Sequence, residues 1–373
     1  MSSEGVRHLY VHLPFCAHRC GYCDFVTLVG RQDGHRAYVD ALLAELELER
    51  DLLGPRVETV FLGGGTPTFT EQTALLHLLS TLPAAPEATV EANPETVTPQ
   101  LALLLREAGV TRVSLGAQSF QPRLLDVLER RAGPADVRRA FYHLRDACFD
   151  NISLDLIYGI PGQSASDLER DLGEALALGP EHVSCYELES KPGTRFAHAW
   201  GTELARQSES MEGYFELVVT TLVGAGYRWY ETANFCRDGR QARHNLGYWL
   251  GRDYLGLGIG AVSTVGGIRW RNAPGLASYV AALADGQRPP REIEPLDNAT
   301  RLIERVMLGL RLDEPVPFAE VAPAVDPLAL ERLRRLGLVR LAGDGLALTP
   351  RGRFLGGGVT AELIAEIPAK QYN

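Results

Sequence analysis

Cys16, Cys20 and Cys23 stand in the stretch HLPFCAHRCGYCDF, with three residues and then two between them. A disulfide uses two thiols and a closed structural zinc site usually takes four ligands, so a set of three leaves a position over. A [4Fe–4S] cube held by only three thiolates keeps one iron open to a further ligand. Zinc completed by His12 or His18 would employ the same cysteines, and three unrelated buried thiols would need no metal at all. Pro14 ahead of the triplet and Gly21 inside it argue against a continuous helix, so the segment reads as a loop able to aim its sulfurs inward. Cys148, Cys185 and Cys236 are far apart and read as small buried residues.

Other polar and glycine-rich stretches follow at intervals. FLGGGTPTF carries Gly64, Gly65 and Thr66, where glycines let the backbone pass close to a ligand. VEANPE carries Glu91, SLGAQSF carries Gln118, and LDLIYGIPGQ carries Asp155. Tyr10 lies six residues before the first cysteine, Arg130 one helix beyond Gln118, and Glu187 just after SCY. Taken singly, each is an ordinary polar residue at the end of an element.

The elements give these residues a common address. Apolar runs rich in β-branched residues predict strands at 7–13, 57–62, 89–92, 112–115, 151–156 and 182–186. Amphipathic patterns between them predict helices at 36–53, 71–82, 99–108, 134–147 and 167–178. Strand–helix alternation implies a parallel sheet with right-handed crossovers, and ligand sites at the carboxyl ends of its strands. The expected fold is α/β, a partial (β/α)6 TIM-like barrel over residues 1–200. Residues 201–288 should complete it, with a helix over 208–224 and a Gly- and aromatic-rich stretch containing RHNLGYW. A linker is expected at 289–295, then a small winged-helix-like α+β domain to residue 373, with helices at 299–308 and 328–336 and a hairpin around 343–345.

Composition narrows the partners. The chain has 373 residues and a formal charge of −10, with no basic stripe, which argues against nucleic acid and against an anionic membrane surface. No apolar run approaches the length of a spanning helix and no signal peptide opens the sequence, so the protein is expected to be cytoplasmic and its cysteines metal-binding rather than disulfide-bonded.

The Cys-x3-Cys-x2-Cys spacing, with the aromatic Tyr22 before the last cysteine, resembles the radical S-adenosylmethionine (SAM) superfamily. That resemblance implies that the three cysteines hold a [4Fe–4S] cluster whose open iron binds SAM. It also implies SAM contacts at Tyr10, Tyr22, Gly64, Gly65, Thr66, Glu91, Gln118, Arg130, Asp155 and Glu187. Within the superfamily the sequence is similar to the branch of oxygen-independent coproporphyrinogen III oxidases and HemW-type haem chaperones. Where the oxidases carry a fourth cysteine this chain has Phe25, and it begins almost at its first strand, which favours the chaperones. His244, Asn245, Tyr248 and Trp249 resemble the chaperones' HNxxYW signature and would contact haem. Glu129-Arg130-Arg131-Ala132 departs from a common Gly-Arg-x-His pattern, so no role of that histidine transfers. The resemblance therefore implies a protein that binds cluster, SAM and haem, takes electrons from a donor, and passes haem to an acceptor such as a membrane-bound respiratory protein. The alternative is oxidative decarboxylation of coproporphyrinogen.

Overall fold

The computed structural model describes residues 5–30, 34–189, 191 and 194–365. The chain opens with β1 (His8–Leu13), β2 (Phe15–Cys16) and β3 (Leu28–Val29). Helices and strands then alternate through α1 (His35–Leu48), β4 (Thr59–Gly64), α2 (Gln72–Thr81), β5 (Glu87–Ala92), α3 (Pro99–Glu107) and β6 (Arg112–Gln118). They continue through α4 (Pro122–Val127), α5 (Pro134–Asp146), β7 (Ile152–Tyr158), α6 (Ala165–Leu178) and β8 (His182–Glu187). Next come α7 (Arg195–Gln207), α8 (Met211–Gly224), β9 (Arg228–Trp229), β10 (Asn234–Cys236), α9 (Arg243–Trp249) and β11 (Leu255–Leu257). A hairpin of β12 (Val262–Val265) and β13 (Ile268–Asn272), α10 (Leu276–Ala284), β14 (Arg291–Pro295) and α11 (Asn298–Gly309) follow.

The main sheet has the order β11-β1-β4-β5-β6-β7-β8-β10-β9. From β11 to β8 every neighbouring pair is parallel, and β10 then runs antiparallel to both β8 and β9. The edges β11 and β9 do not meet, so the barrel is partial, as expected. Its two faces divide by the period of two that a pleated strand imposes. Leu9, Val11, Val60, Leu62, Val90, Val113 and Leu154 join one buried apolar core with residues of the covering helices. The opposite face is polar: Glu91 pairs in register with Ser114, Ser114 with Ser153, and Asp155 with Ser184.

Local signals set the boundaries. α6 starts at a capping box in which Ser164 accepts from Asp167 N–H, and it ends at Gly179 with φ +68°, a left-handed cap suited to glycine. The final residues fold around their own core, with Val306, Leu310, Val316, Leu333, Leu346 and Leu363 buried together. There, β15 (Val316–Pro317), α12 (Phe318–Val321), α13 (Pro327–Arg335), β16 (Val339–Ala342), β17 (Gly345–Leu348), α14 (Pro350–Phe354) and α15 (Gly356–Leu363) build a small sheet of order β15-β17-β16 with helices.

Four expectations need correction. The stretch 289–295 is not a linker: β14 pairs with β13 along its whole length, but its side chains are mostly exposed and so lack the apolar alternation that marks a strand. α1 stops at Leu48, followed by a short 3-10 turn at Arg50–Leu52, because nothing in an amphipathic pattern marks that tightening. Helices α4 and α7 were not anticipated. Cys148 is exposed, at φ +63° just past α5, rather than buried.

Candidate functional site

The cysteines sit at the carboxyl end of the first strand. β2 pairs with β3, Cys16 opposite Val29, and this short ladder closes the loop that carries Cys20 and Cys23. Cys23 N–H donates to the Cys20 carbonyl at 3.2 Å, which tightens the loop into a turn. Behind it a chain of polar contacts runs to the barrel. Arg130 lies 3.9 Å from Cys20 Sγ and donates to Asn93 Oδ1 at 2.9 Å and to the Gly116 carbonyl at 3.0 Å. Asn93 in turn donates to Thr66 Oγ1 at 3.1 Å, and Thr66 Oγ1 lies 3.6 Å from Cys16 Sγ. Burial pushes the Cys16 thiol up to about 11 and the Cys23 thiol upward as well, so both favour the neutral form.

Of the two histidines that could complete a zinc site, His12 is committed elsewhere, whereas His18 lines the same cavity as the cysteines. His12 uses one ring nitrogen on the Val26 carbonyl at 2.8 Å and the other on Tyr10 Oη at 3.0 Å, and burial lowers it to about 4. His18 faces Glu129 at 3.7 Å. Among the described residues no three His, Cys, Asp or Glu side chains close on a single ion.

Next to the loop, the glycine run forms a close-fitting wall. A Cβ on Gly65 would stand 2.6 Å from the Pro14 carbonyl group, and one on Gly64, at φ +109°, would stand 2.5 Å from the His12 ring. Gly64 N–H donates to Glu91 Oε2 at 3.1 Å. Burial raises Glu91 to about 7, with the Asp155 charge adding to the effect. Asp155 is also raised by burial, although it accepts hydrogen bonds from Ser114 at 2.9 Å and Ser153 at 3.1 Å. Gln118 holds φ +64°, a strained conformation for a residue with a side chain, at the carboxyl end of β6.

All of this converges on one cavity of about 630 Å³. Its lining includes the three cysteines with Tyr10, Tyr22, Gly64, Gly65, Thr66, Glu91, Gln118, Arg130, Asp155, Glu187 and Asn245. It also includes Asn93, Arg112, Ser114 and Ser184, which sequence reasoning passed over. Ser114 lies in register with Glu91 on the next strand, so its place depends on strand pairing, whereas Asn93 was within reach as the residue two beyond Glu91.

The RHNLGYW segment is α9, and its residues divide. Glu87 accepts from the N–H groups of Arg243 and His244 at 3.0 and 2.9 Å, pinning the start of the helix. His244 is 1% exposed and lines neither large cavity. Its Nδ1 bonds Thr59 Oγ1 and its Nε2 bonds Tyr248 Oη, both at 2.8 Å, while its ring stacks on Phe61 at 5.1 Å. Burial lowers it to about 3 and keeps it neutral. In this arrangement its ring is held behind Tyr248, which stands between it and the neighbouring cavity. Tyr248 and Trp249 line a second cavity of about 980 Å³, which shares Tyr10, Asp24 and Phe25 with the first. The Arg311 guanidinium covers the Trp249 ring at 4.9 Å.

Residues 10–175 match the model of the radical SAM superfamily and residues 296–355 that of the HemN C-terminal domain. The protein called heme chaperone HemW in Mycobacterium tuberculosis H37Rv is 40% identical over 368 residues, covering 95% of this chain and 94% of that one. This chain belongs to the HemW family of the radical SAM superfamily. A second member, heme chaperone HemW of Bacillus subtilis, is 33% identical over 380 residues, covering 97% of this chain and all of its own. Among solved structures, the coproporphyrinogen III oxidase HemN of Escherichia coli, titled a radical SAM enzyme, superposes with a TM-score of 0.81. That match covers 96% of this chain and 90% of the oxidase at 24% identity, a likeness of fold.

Proposed function

We propose that this chain is a haem chaperone that carries a [4Fe–4S] cluster and SAM and hands haem to an acceptor protein. The observation that carries the reading is the pair of neighbouring cavities. One gathers three cysteines and the polar barrel face, the other presents Tyr248 and Trp249, and Tyr10, Asp24 and Phe25 stand between them. The names of the HemW relatives support the same function.

Cys16, Cys20 and Cys23 would hold the cluster. Arg130, through Asn93 and Thr66, fixes the loop that presents them. Gly64, Gly65, Thr66, Glu91, Gln118 and Asp155, with Tyr10, Tyr22 and Glu187, would receive SAM, and Asn245, expected at the haem, lines this cavity and not the second. When bound, a cluster of this kind supplies single electrons and an open iron for the amino and carboxylate groups of SAM. The protein's part is to orient: the Gly64 amide aims the Glu91 carboxylate, and two serines aim Asp155. Haem is the cargo, with Tyr248 and Trp249 against it and His244 positioning Tyr248. An electron donor and a haem acceptor, such as a respiratory membrane protein, complete the reading. The proposed location is the cytoplasm. Among the described residues no helix is long and apolar enough to cross a membrane.

The oxidase fold favours one competing activity, conversion of coproporphyrinogen to protoporphyrinogen. Anaerobic reconstitution with iron and sulfide analysis, followed by haem titration and incubation with coproporphyrinogen, SAM and reductant, tests both. Stoichiometric haem binding without porphyrinogen turnover supports the chaperone. Turnover to the divinyl product would replace it.

A further inference from the structure

The second cavity lies between the barrel and α11, with Tyr248, Trp249 and Tyr254 on one side and Leu302, Met307 and Leu308 of α11 on another. At about 980 Å³ it is at the upper end of the roughly 300–1,000 Å³ typical of small-molecule sites. Its lining is net positive in a chain of net charge −10, with three acids, Asp24, Asp253 and Glu304, against a larger number of arginines. Five arginines line it: Arg252, Arg269, Arg271, Arg301 and Arg305. Three of them are already answered by carboxylates, Arg252 by Glu58 at 3.4 Å, Arg269 by Glu304 at 2.7 Å and Arg305 by Glu320 at 3.0 Å. Arg271, on β13, and Arg301, on α11, have no carboxylate within salt-bridge distance among the described residues. A cavity with aromatic and aliphatic walls and two unanswered guanidinium groups suits a flat apolar ligand with two carboxylates.

Building on the haem-chaperone reading, we propose that Arg271 and Arg301 bind the two propionates of haem, which lies in this cavity between the barrel and the C-terminal domain. The arrangement gives α11 a direct part in retention. Arg301 stands on that helix, so any separation of the C-terminal domain from the barrel withdraws one of the two anchors along with part of the apolar wall. Guanidinium groups suit carboxylates because their paired N–H donors match the two oxygens, and both arginines are exposed enough to exchange solvent for a ligand without leaving a buried charge behind.

The test is titration of the reconstituted full chain with haemin and with haemin dimethyl ester, whose propionates are uncharged, under the same solvent conditions. Unmodified protein should prefer haemin by about tenfold or more. Arg271→Gln and Arg301→Gln should each weaken haemin by about three- to tenfold, a range reduced for solvent screening, and leave the ester unaffected. The double variant should no longer distinguish the two ligands. Equal binding of haemin and ester by unmodified protein, or a preference that survives in the double variant, would overturn the arginine assignment while leaving haem binding intact. Failure to bind either porphyrin would remove the haem-chaperone reading and this assignment together.

Discussion

Glutamine in place of Glu91 should change how stability depends on pH, and the structure supplies the size. The carboxyl is raised from its ordinary 4.5 to about 7, first by burial and then by Asp155. Below 4.5 it is protonated in folded and unfolded chains alike and costs nothing. Between 4.5 and 7 the unfolded chain ionises while the folded one holds its proton, so stability falls as pH rises. Above 7 the loss is complete, at about 3 kcal/mol. Glutamine does not titrate and removes this slope. Its stability relative to the parent should therefore grow by about 2.5 kcal/mol between pH 5 and pH 8, whatever constant offset the altered hydrogen bond to Gly64 N–H introduces. Urea unfolding of cofactor-free, reduced protein at the two pH values measures it. Asp155 is present in both chains and its raised carboxyl acts in the same direction. Parallel pH dependences for parent and variant would refute the reasoning, because they would mean that Glu91 titrates as it does in water.

Cys20→Ala should abolish the visible absorption of anaerobically reconstituted protein, and full iron and sulfide content in that variant would exclude Cys20 as a ligand. Gly65→Ala drives a methyl group against the Pro14 backbone, which cannot swing aside, and should cost about 2 kcal/mol in unfolding experiments together with much of the cluster content. His244→Ala leaves Thr59 and Tyr248 short of a buried partner and should cost about 3 kcal/mol, whereas Tyr248→Phe should cost about 1; equal costs would argue against the bracing role. If His244→Ala lowers haem affinity, Tyr248→Phe should lower it too, since the histidine acts through that tyrosine. Haem titration of both variants checks the relation.

Much of this protein was legible from local pattern. The cysteine spacing, the strand–helix alternation and the strand-end polar residues are short-range features, and a parallel sheet sends the carboxyl ends of its strands to one side whatever the details. That is why Glu91, Gln118 and Asp155, from three separate strands, could be assigned to one cavity before any coordinates. Ser114 and Arg112 were missed because their value lies in partners 39 to 41 residues away, whereas Asn93, two residues beyond Glu91, was within reach. Helix α7 places Phe196 edge-on to Tyr22 at 6.4 Å, a contact invisible without the fold.

The sequence by itself determined the cysteine spacing and the barrel, because spacing and periodicity are properties of neighbouring residues, and it carried the motifs by which the chain resembles its family. Tertiary structure alone decided that His244 is a buried brace while Tyr248 faces the second cavity. It also decided that β14 belongs to a sheet and that two arginines from distant elements share one cavity. Each of those outcomes depends on which surfaces meet across the chain, and a helix such as α9 shows its partners only once it is packed against Thr59, Phe61 and Glu87.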